Sequence, residues 1–258
     1  MRREAIRNTV PYLCFVLLLV LAEVLIRALR VPNYLLPPPS LIIAEGARNI
    51  SLLIHHLGIT FLEAILGFIV GNVCAILFGF IFSQWRFARQ GFYPIIVAFQ
   101  AIPIVAVAPF VIIWFGPGLV GKVVMAALIC YFPAAVISTD GFTKVNRDAL
   151  ALLRSLGASK QRIFRVLSLP SAIPAIVSAL QVSATLCMVG AVVAELSGSD
   201  KGAGYLILRA SYEFRTPMLF AVLAVTSGAT FGLFKFVQLL GGYYAHRYTF
   251  SYAIPDER

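Results

Sequence analysis

Apolar and polar positions fall into long blocks along this chain, not into the short alternation of half-buried surface elements. Six mostly apolar stretches stand out, at roughly 11–28, 58–82, 92–115, 123–139, 173–197 and 218–244. A helix needs about 20 such residues to cross the hydrocarbon core of a bilayer, so each block predicts a transmembrane helix. The third block carries no charge. The first is interrupted by Glu23 and Arg27, whose i,i+4 spacing lets them pair on one helix face. The same two residues stand where a signal-peptide cleavage site would have to lie, so the block reads as a retained first span.

The segments between blocks differ in character. Leu36-Pro37-Pro38-Pro39-Ser40 stops the first helix, and Ser40 is placed to cap an amphipathic stretch that runs to Leu57. Residues 83–91 read as a short basic loop and Gly116-Pro117-Gly118 as a tight turn. Residues 197–217 read as a glycine-rich loop followed by a short helix, and residues 141–172 form the longest connection. The whole chain, 1–258, reads as one transmembrane domain.

Composition narrows the class. Of 258 residues, 60% are hydrophobic and 12% charged, and the mean hydropathy is +0.90. A soluble fold cannot hide that much apolar surface, and disordered chains are poor in it, so an all-α integral membrane protein is expected. The net charge of +10 would suggest nucleic acid in a soluble domain. Here it fits basic loops facing anionic lipid, and no nucleic-acid partner is expected. With both termini cytoplasmic, the inner segments hold about twice as many Lys and Arg as the outer ones, which favours that orientation. Cys14, Cys74, Cys130 and Cys187 lie in apolar runs without metal-ligand spacing and read as packing residues.

The long inner segment is the most informative. Leu150, Leu153 and Leu156 recur at helical spacing up to Gly157, a common helix stop. Ser159 is placed to cap a second short helix carrying Ile163, Phe164 and Leu167 among Lys160, Arg162 and Arg165, with Pro170 and Pro174 ending it. Two readings of this amphipathic helix stay open: a soluble partner grips it in a groove, or it lies on the membrane surface with its arginines toward headgroups.

The stretch from Ala151 to Pro174 resembles the signature loop of ABC-transporter importer permeases, Glu-Ala-Ala, three residues, Gly, then about a dozen residues to Ile-x-Leu-Pro. Gly157, Ala158, Phe164, Leu169, Pro170 and Pro174 match, while Ala151, Leu152 and Leu153 stand in place of Glu-Ala-Ala. The rest resembles the nitrate/sulfonate/taurine subclass, through Leu36-Pro37-Pro38-Pro39-Ser40, Ile102-Pro103, Ala108-Pro109, Ile113-Trp114-Phe115-Gly116, Ala194-Glu195 and Gly202-Ala203-Gly204-Tyr205-Leu206-Ile207. The resemblance implies the type I importer permease fold with six spans per chain, working as a dimer over two ATP-binding subunits. It makes Ser159–Ser168 a coupling helix, with Gly157, Ala158, Ser159, Lys160, Arg162, Ile163, Phe164, Arg165, Leu169 and Pro170 as the contact residues. ATP and Mg would sit on the partner, with no cofactor on this chain. A periplasmic or lipid-anchored binding protein would deliver the solute, and the location would be a bacterial cell membrane. Residues 104–109 and 200–205 look most like the vitamin-precursor branch, which carries thiamine-pyrimidine or riboflavin precursors, with sulfonates second.

Polar residues inside spans are the pathway candidates. Pro103 and Pro109 remove helix hydrogen bonds and should kink or break the third span, and broken helices at membrane depth line cavities. Phe99, Gln100 and Pro103 are therefore placed near the pathway with Met188 and Glu195. An acidic residue such as Glu195 is costly in a span and is a functional candidate by default; the alternative is pairing with a basic neighbour. Glu63 and Lys235 carry the same ambiguity. Gln181, Ser183 and Thr185 are further candidates, with interhelical hydrogen bonding as their alternative. Gly67-x-x-x-Gly71 and Gly228-x-x-x-Gly232 allow close helix approach.

Two motifs are set aside. Residues 116–123 nearly spell a phosphate-binding loop, but Val123 lacks the hydroxyl that would reach Mg²⁺ and no strand precedes it. His55 and His56 point apart on a helix and read, like His246, as loop residues and not as metal ligands. With no catalytic constellation, the expected class is a transport subunit and not an enzyme. The rival class, an ion-coupled secondary carrier acting without an ATPase, would need several buried ionisable groups near mid-membrane.

Overall fold

In lipid every backbone polar group must be satisfied within its own segment, so the apolar blocks fold as helices. A computed structural model of the chain describes the backbone of residues 2–249 and the side chains of 13–85, 87 and 89–243. The helices are α1 (Arg2–Ala28), α2 (Pro39–Arg48), α3 (Ile50–Gln84), α4 (Arg86–Phe99), α5 (Ile104–Phe115), α6 (Leu119–Thr143), α7 (Arg147–Ser155), α8 (Lys160–Ile163), α9 (Leu169–Leu196), α10 (Ala203–Tyr212) and α11 (Thr216–Thr249). A π-helical turn, Phe164–Ser168, joins α8 to α9. His246, Arg2 and Arg3 lie outside the described side chains.

Among the described residues, four continuous helices are long and apolar enough to cross a membrane: Ile50–Gln84, Leu119–Thr143, Lys160–Leu196 and Thr216–Tyr243. The third predicted span, 92–115, is instead two helices meeting at 101°. Its break falls where the prolines placed it. Pro103 precedes α5, and the amides of Gln100, Ala101 and Ile102 bond three residues back in a tightened turn. The expected basic loop at 83–91 is almost absent, since α3 and α4 are separated by Trp85 alone.

α3, α6 and α9 form the packed centre, with α11 against α9. Their contact is built from small residues: Ala64, Ala126, Cys130, Ala184, Cys187 and Ala191 surround Met188. A Cβ on Gly71 would stand 2.6 Å from the Ala127 carbonyl oxygen, so this glycine sets how closely α3 approaches α6. Gly71→Leu is expected to cost about 1–3 kcal/mol by overpacking; thermal unfolding followed by a thiol dye reporting Cys130 and Cys187 checks it. Gly228 and Gly232 differ: among the described residues nothing lies within 4 Å of a Cβ built on either.

α1 stands apart, its main contact being α2, and Leu13–Val20 are all exposed. The expected Glu23–Arg27 pair forms, at 2.6 Å. Ser40 does not cap α2 as expected, because Pro38 occupies the cap position. Glu23 does so from α1: its carboxylate accepts the Ser40 amide at 3.0 Å and the Ser40 hydroxyl at 2.7 Å.

At the opposite end of the bundle the 144–169 segment projects. Asn146 caps α7, accepting from the amides of Asp148 and Ala149. The helix stops at Gly157, whose φ of +70° is open to glycine at no steric cost. The amides of Gly157 and Ala158 bond back to Arg154 and Leu153, closing the turn. Ser159 then accepts from the Arg162 amide, as its position suggested. The predicted stop at Pro170 does not occur. The π turn widens the helix just where the proline ring would press on the preceding turn, and one helix continues from Lys160 through Leu196.

Candidate transport groove, buried polar cluster and projecting arm

α9, α10 and α11 enclose a groove of about 530 Å³. Thr185, Met188 and Val192 come from α9, Ile207 from α10, and Thr226 and Phe231 from α11. None of the described residues lining it is ionisable. Thr185 and Thr226 give their hydroxyl hydrogens to carbonyls of their own helices, at 2.8 Å each, leaving only acceptor capacity toward the groove. Ser227 and Thr230 add two further hydroxyls to an otherwise apolar lining.

The pathway candidates divide. Met188 lines this groove. Phe99, Gln100 and Pro103 sit at the α4–α5 bend, where Phe99 stacks on Phe132 of α6 at 5.4 Å. Glu195 is fully buried and is not among the residues lining the groove. Ser183 is buried with its hydroxyl unbonded, so neither it nor Thr185 makes the interhelical bond considered for them. Lys235 reaches Gln238 at 2.8 Å over the Phe231 ring.

Around Glu195 the structure assembles a cluster that the sequence did not reveal. His56, Thr60 and Glu63 follow at spacings of four and three residues, one inward stripe of α3. Glu195 is not paired with a base. Its Oε1 accepts the Thr60 hydroxyl at 2.8 Å and its Oε2 the Gly204 amide at 2.7 Å. Thr60 Oγ1 accepts the Ala203 amide at 2.7 Å, and His56 Nδ1 the Gly202 amide at 3.0 Å. His56 is thus a buried acceptor stacked against Tyr205, not the loop residue expected. Gly202 and Gly204 are needed because a Cβ on the first would strike the Glu195 carboxylate, and one on the second would lie 2.6 Å from the Val192 carbonyl oxygen. Glu63 pairs with Lys122 of α6 at 2.9 Å, the two side chains 2% and 6% exposed.

The end of the bundle that holds this cluster carries an outer ring of ion pairs. Arg215 bridges to Glu45 at 2.7 Å, tying α2 to the start of α11, and Arg209 meets Glu213 at 2.7 Å. That hydrogen bond from Arg209 holds the Glu213 carboxyl below its ordinary range.

The opposite end carries the arm. α7 buries no residue and packs substantially on no other helix. Leu152 and Leu156 are 60% and 72% exposed, with Lys160, Arg162 and Arg165 exposed beyond them. The arm is fastened at Phe164, whose ring lies 4.8 Å from Phe80 of α3 and 6.2 Å from Phe142 of α6.

Membrane-length helices around a neutral groove, with a soluble arm continuous with one crossing helix, define a membrane-embedded transport subunit. Residues 67–249 match the binding-protein-dependent transport system inner membrane component family, and the chain belongs to it. It is 31% identical over 246 residues to a probable ABC transporter permease protein of Haemophilus influenzae, covering 95% of this chain and 99% of that protein. It is 33% identical over 218 residues to the formylaminopyrimidine transport permease protein ThiX of Halalkalibacterium halodurans, covering 84% and 87%. A chain of the MetNI methionine ABC transporter, in an inward-facing form, superposes with a TM-score of 0.58 at 18% identity, covering 77% of this chain and 95% of that one. The fold is accordingly that of a type I importer permease, and the protein is a multi-pass component of the bacterial inner membrane. Its family works with ATP-binding and substrate-binding partners, which sides with the importer and not with the secondary carrier.

Proposed function

We propose that two copies of this chain form the pathway of an ATP-driven importer, each copy crossing the membrane six times with α1 first and both termini cytoplasmic. The arm carries this reading. A helical segment that exposes two leucines, packs substantially on no other helix and stands near the root of a crossing helix is a docking element awaiting a partner. We assign that partner as the ATP-binding subunit, two copies per assembly, which holds ATP and Mg and hydrolyses the nucleotide; this chain binds neither. The contact runs over α7 and on through Gly157, Ala158, Ser159, Lys160, Arg162, Ile163, Phe164 and Arg165, with Leu169 and Pro170 setting the root of α9. The binding protein docks at the α2–α10 end. The open face of α1 and the unoccupied Gly228–Gly232 face of α11 support a second copy as the neighbour.

The neutral groove supports a vitamin-precursor solute over a sulfonate, because an anion there would find no cationic side chain. The α4–α5 bend, with Phe99, Gln100 and Pro103, contributes a second wall of the pathway. Proteoliposomes carrying the permease, the ATP-binding subunit and the binding protein test this. ATP-dependent uptake of a formylaminopyrimidine is expected, with none of an aliphatic sulfonate and none when any component is left out. Full-rate uptake by the permease alone would overturn the reading.

A further inference from the structure

α10 is held in an unusual way. The first turn of a helix has amide groups that its own ladder cannot satisfy, and a side chain just before the helix commonly accepts one of them. Here Gly202, at the cap position, has no side chain to offer. The amides of Gly202, Ala203 and Gly204 instead go to His56, Thr60 and Glu195. Two of these acceptors stand on α3, 146 and 143 residues away in sequence, and the third on α9. The Thr60 hydroxyl donates in turn to Glu195, so the two helices share one chain of hydrogen bonds through the start of α10.

The position of α10 is therefore a function of how α3 and α9 sit relative to each other. α10 shares one buried cluster, through Ala203, Leu206 and Ala210, with Leu53 of α3 and Met218 and Ala221 of α11; Gly198 and Gly202 precede it at φ of +145° and +104°, and Phe214 follows it at φ +53°. α10 also contributes Ile207 to the lining of the groove, together with Val193 of α9 and Leu223 of α11. At the far end of the molecule, α9 continues without a break into the arm and touches α3 through Phe164 and Phe80. The continuous helix Lys160–Leu196 spans about 55 Å at 1.5 Å per residue. A displacement of the arm root is thereby carried along α9 to Glu195.

We propose that His56, Thr60 and Glu195 are positioning residues of an outer gate: together they latch the first turn of α10, and with it Ile207, across the outer end of the groove. The latch closes only when α3 and α9 are in one relative register, so a shift of α9 along α3 releases it. Calling this end outer rests on the importer reading; the latch itself does not.

The test needs neither nucleotide nor partner, so it stands or falls separately from uptake measurements. The full chain, with Cys14 and Cys74 changed to Ser and Ile207→Cys as reporter, is placed in lipid nanodiscs and labelled with a charged maleimide. The buried native Cys130 and Cys187 report on the bundle in the same sample. Thr60→Val keeps the shape and removes the hydroxyl; it and Glu195→Ala are expected to raise labelling at the reporter about tenfold. Cys130 and Cys187 should stay protected. Thr60→Ser and His56→Asn, which keep an acceptor in place, should label like the parent, whereas His56→Leu should label like Thr60→Val. Unchanged labelling in Thr60→Val and Glu195→Ala would overturn the latch. Labelling of Cys130 and Cys187 rising in step with the reporter would overturn it too, since the three residues would then be holding the bundle and not the gate.

Discussion

Leu152→Glu combined with Leu156→Glu is expected to abolish assembly with the cognate ATP-binding subunit and bring uptake to background. Both side chains are exposed and buttress nothing in this chain, so the melting temperature of the isolated permease should not move. In the complex they would be desolvated anchors. Losing two such anchors, and burying charge in their place, weakens binding by about a thousandfold or more. Surface-immobilised permease titrated with the ATP-binding subunit gives the affinity, and melting of the permease alone supplies the control. Reversing Lys160, Arg162 and Arg165 to Glu is expected to abolish assembly as well. If the subunit assembled normally on both variants, the arm would not be its docking element.

The second large effect concerns Lys122. Lys122→Met leaves the Glu63 carboxylate buried without its cation, and removing one partner of a buried ion pair costs about 3–5 kcal/mol. Glu63 already has one oxygen with no hydrogen bond, and the neighbouring Glu195 is a second carboxyl that offers no compensating cation. The single variant should unfold at markedly lower temperature. The double variant Glu63→Leu, Lys122→Met should recover most or all of the loss, since well-packed apolar residues replace a buried pair at little cost. A double variant no more stable than Lys122→Met would show that the loss came from packing and not from the stranded charge.

The stability of this cluster and its place beside the latch have one origin. The same stripe of α3 that meets α6 through Glu63 meets α9 and α10 through Thr60 and His56. Two helices and the first turn of α10 are thus referred to one face of α3. Glu63 and Glu195 are neighbouring carboxyls, so the ion pair and the latch meet at that contact. The ion pair joins α3 to α6, whereas the latch joins α3 to α9 and α10.

Several features were legible in the chain because their causes are local. Span-length apolar blocks need no partner to be recognised. A proline in a charge-free block removes an amide wherever it stands, which is why the break at Pro103 could be placed. Gly157 and Ser159 terminate and start helices through bonds made within five residues of themselves. Pro170 misled for an instructive reason: a proline stops an α-helix of regular width, but one wider turn takes up its ring. Ser40 misled because the helix begins at Pro39, so Ser40 lies inside its first turn, where a carboxylate 17 residues earlier accepts both its amide and its hydroxyl.

His56, Thr60 and Lys122 were missed as members of a site. Their only sequence signal is the 56–60–63 spacing on one helical face, and an ordinary buried stripe has the same spacing. What gives them a role is the arrival of Gly202–Gly204 and Lys122 from distant parts of the chain. The sequence by itself determined the membrane class, the family and several local breaks and caps, because hydrophobic length, proline and glycine act on the backbone where they stand. Only the tertiary structure decided which polar groups meet, since buried donors and acceptors choose partners by packing and not by separation along the chain. That choice joined Glu195 to Thr60, Glu63 to Lys122 and the first turn of α10 to His56.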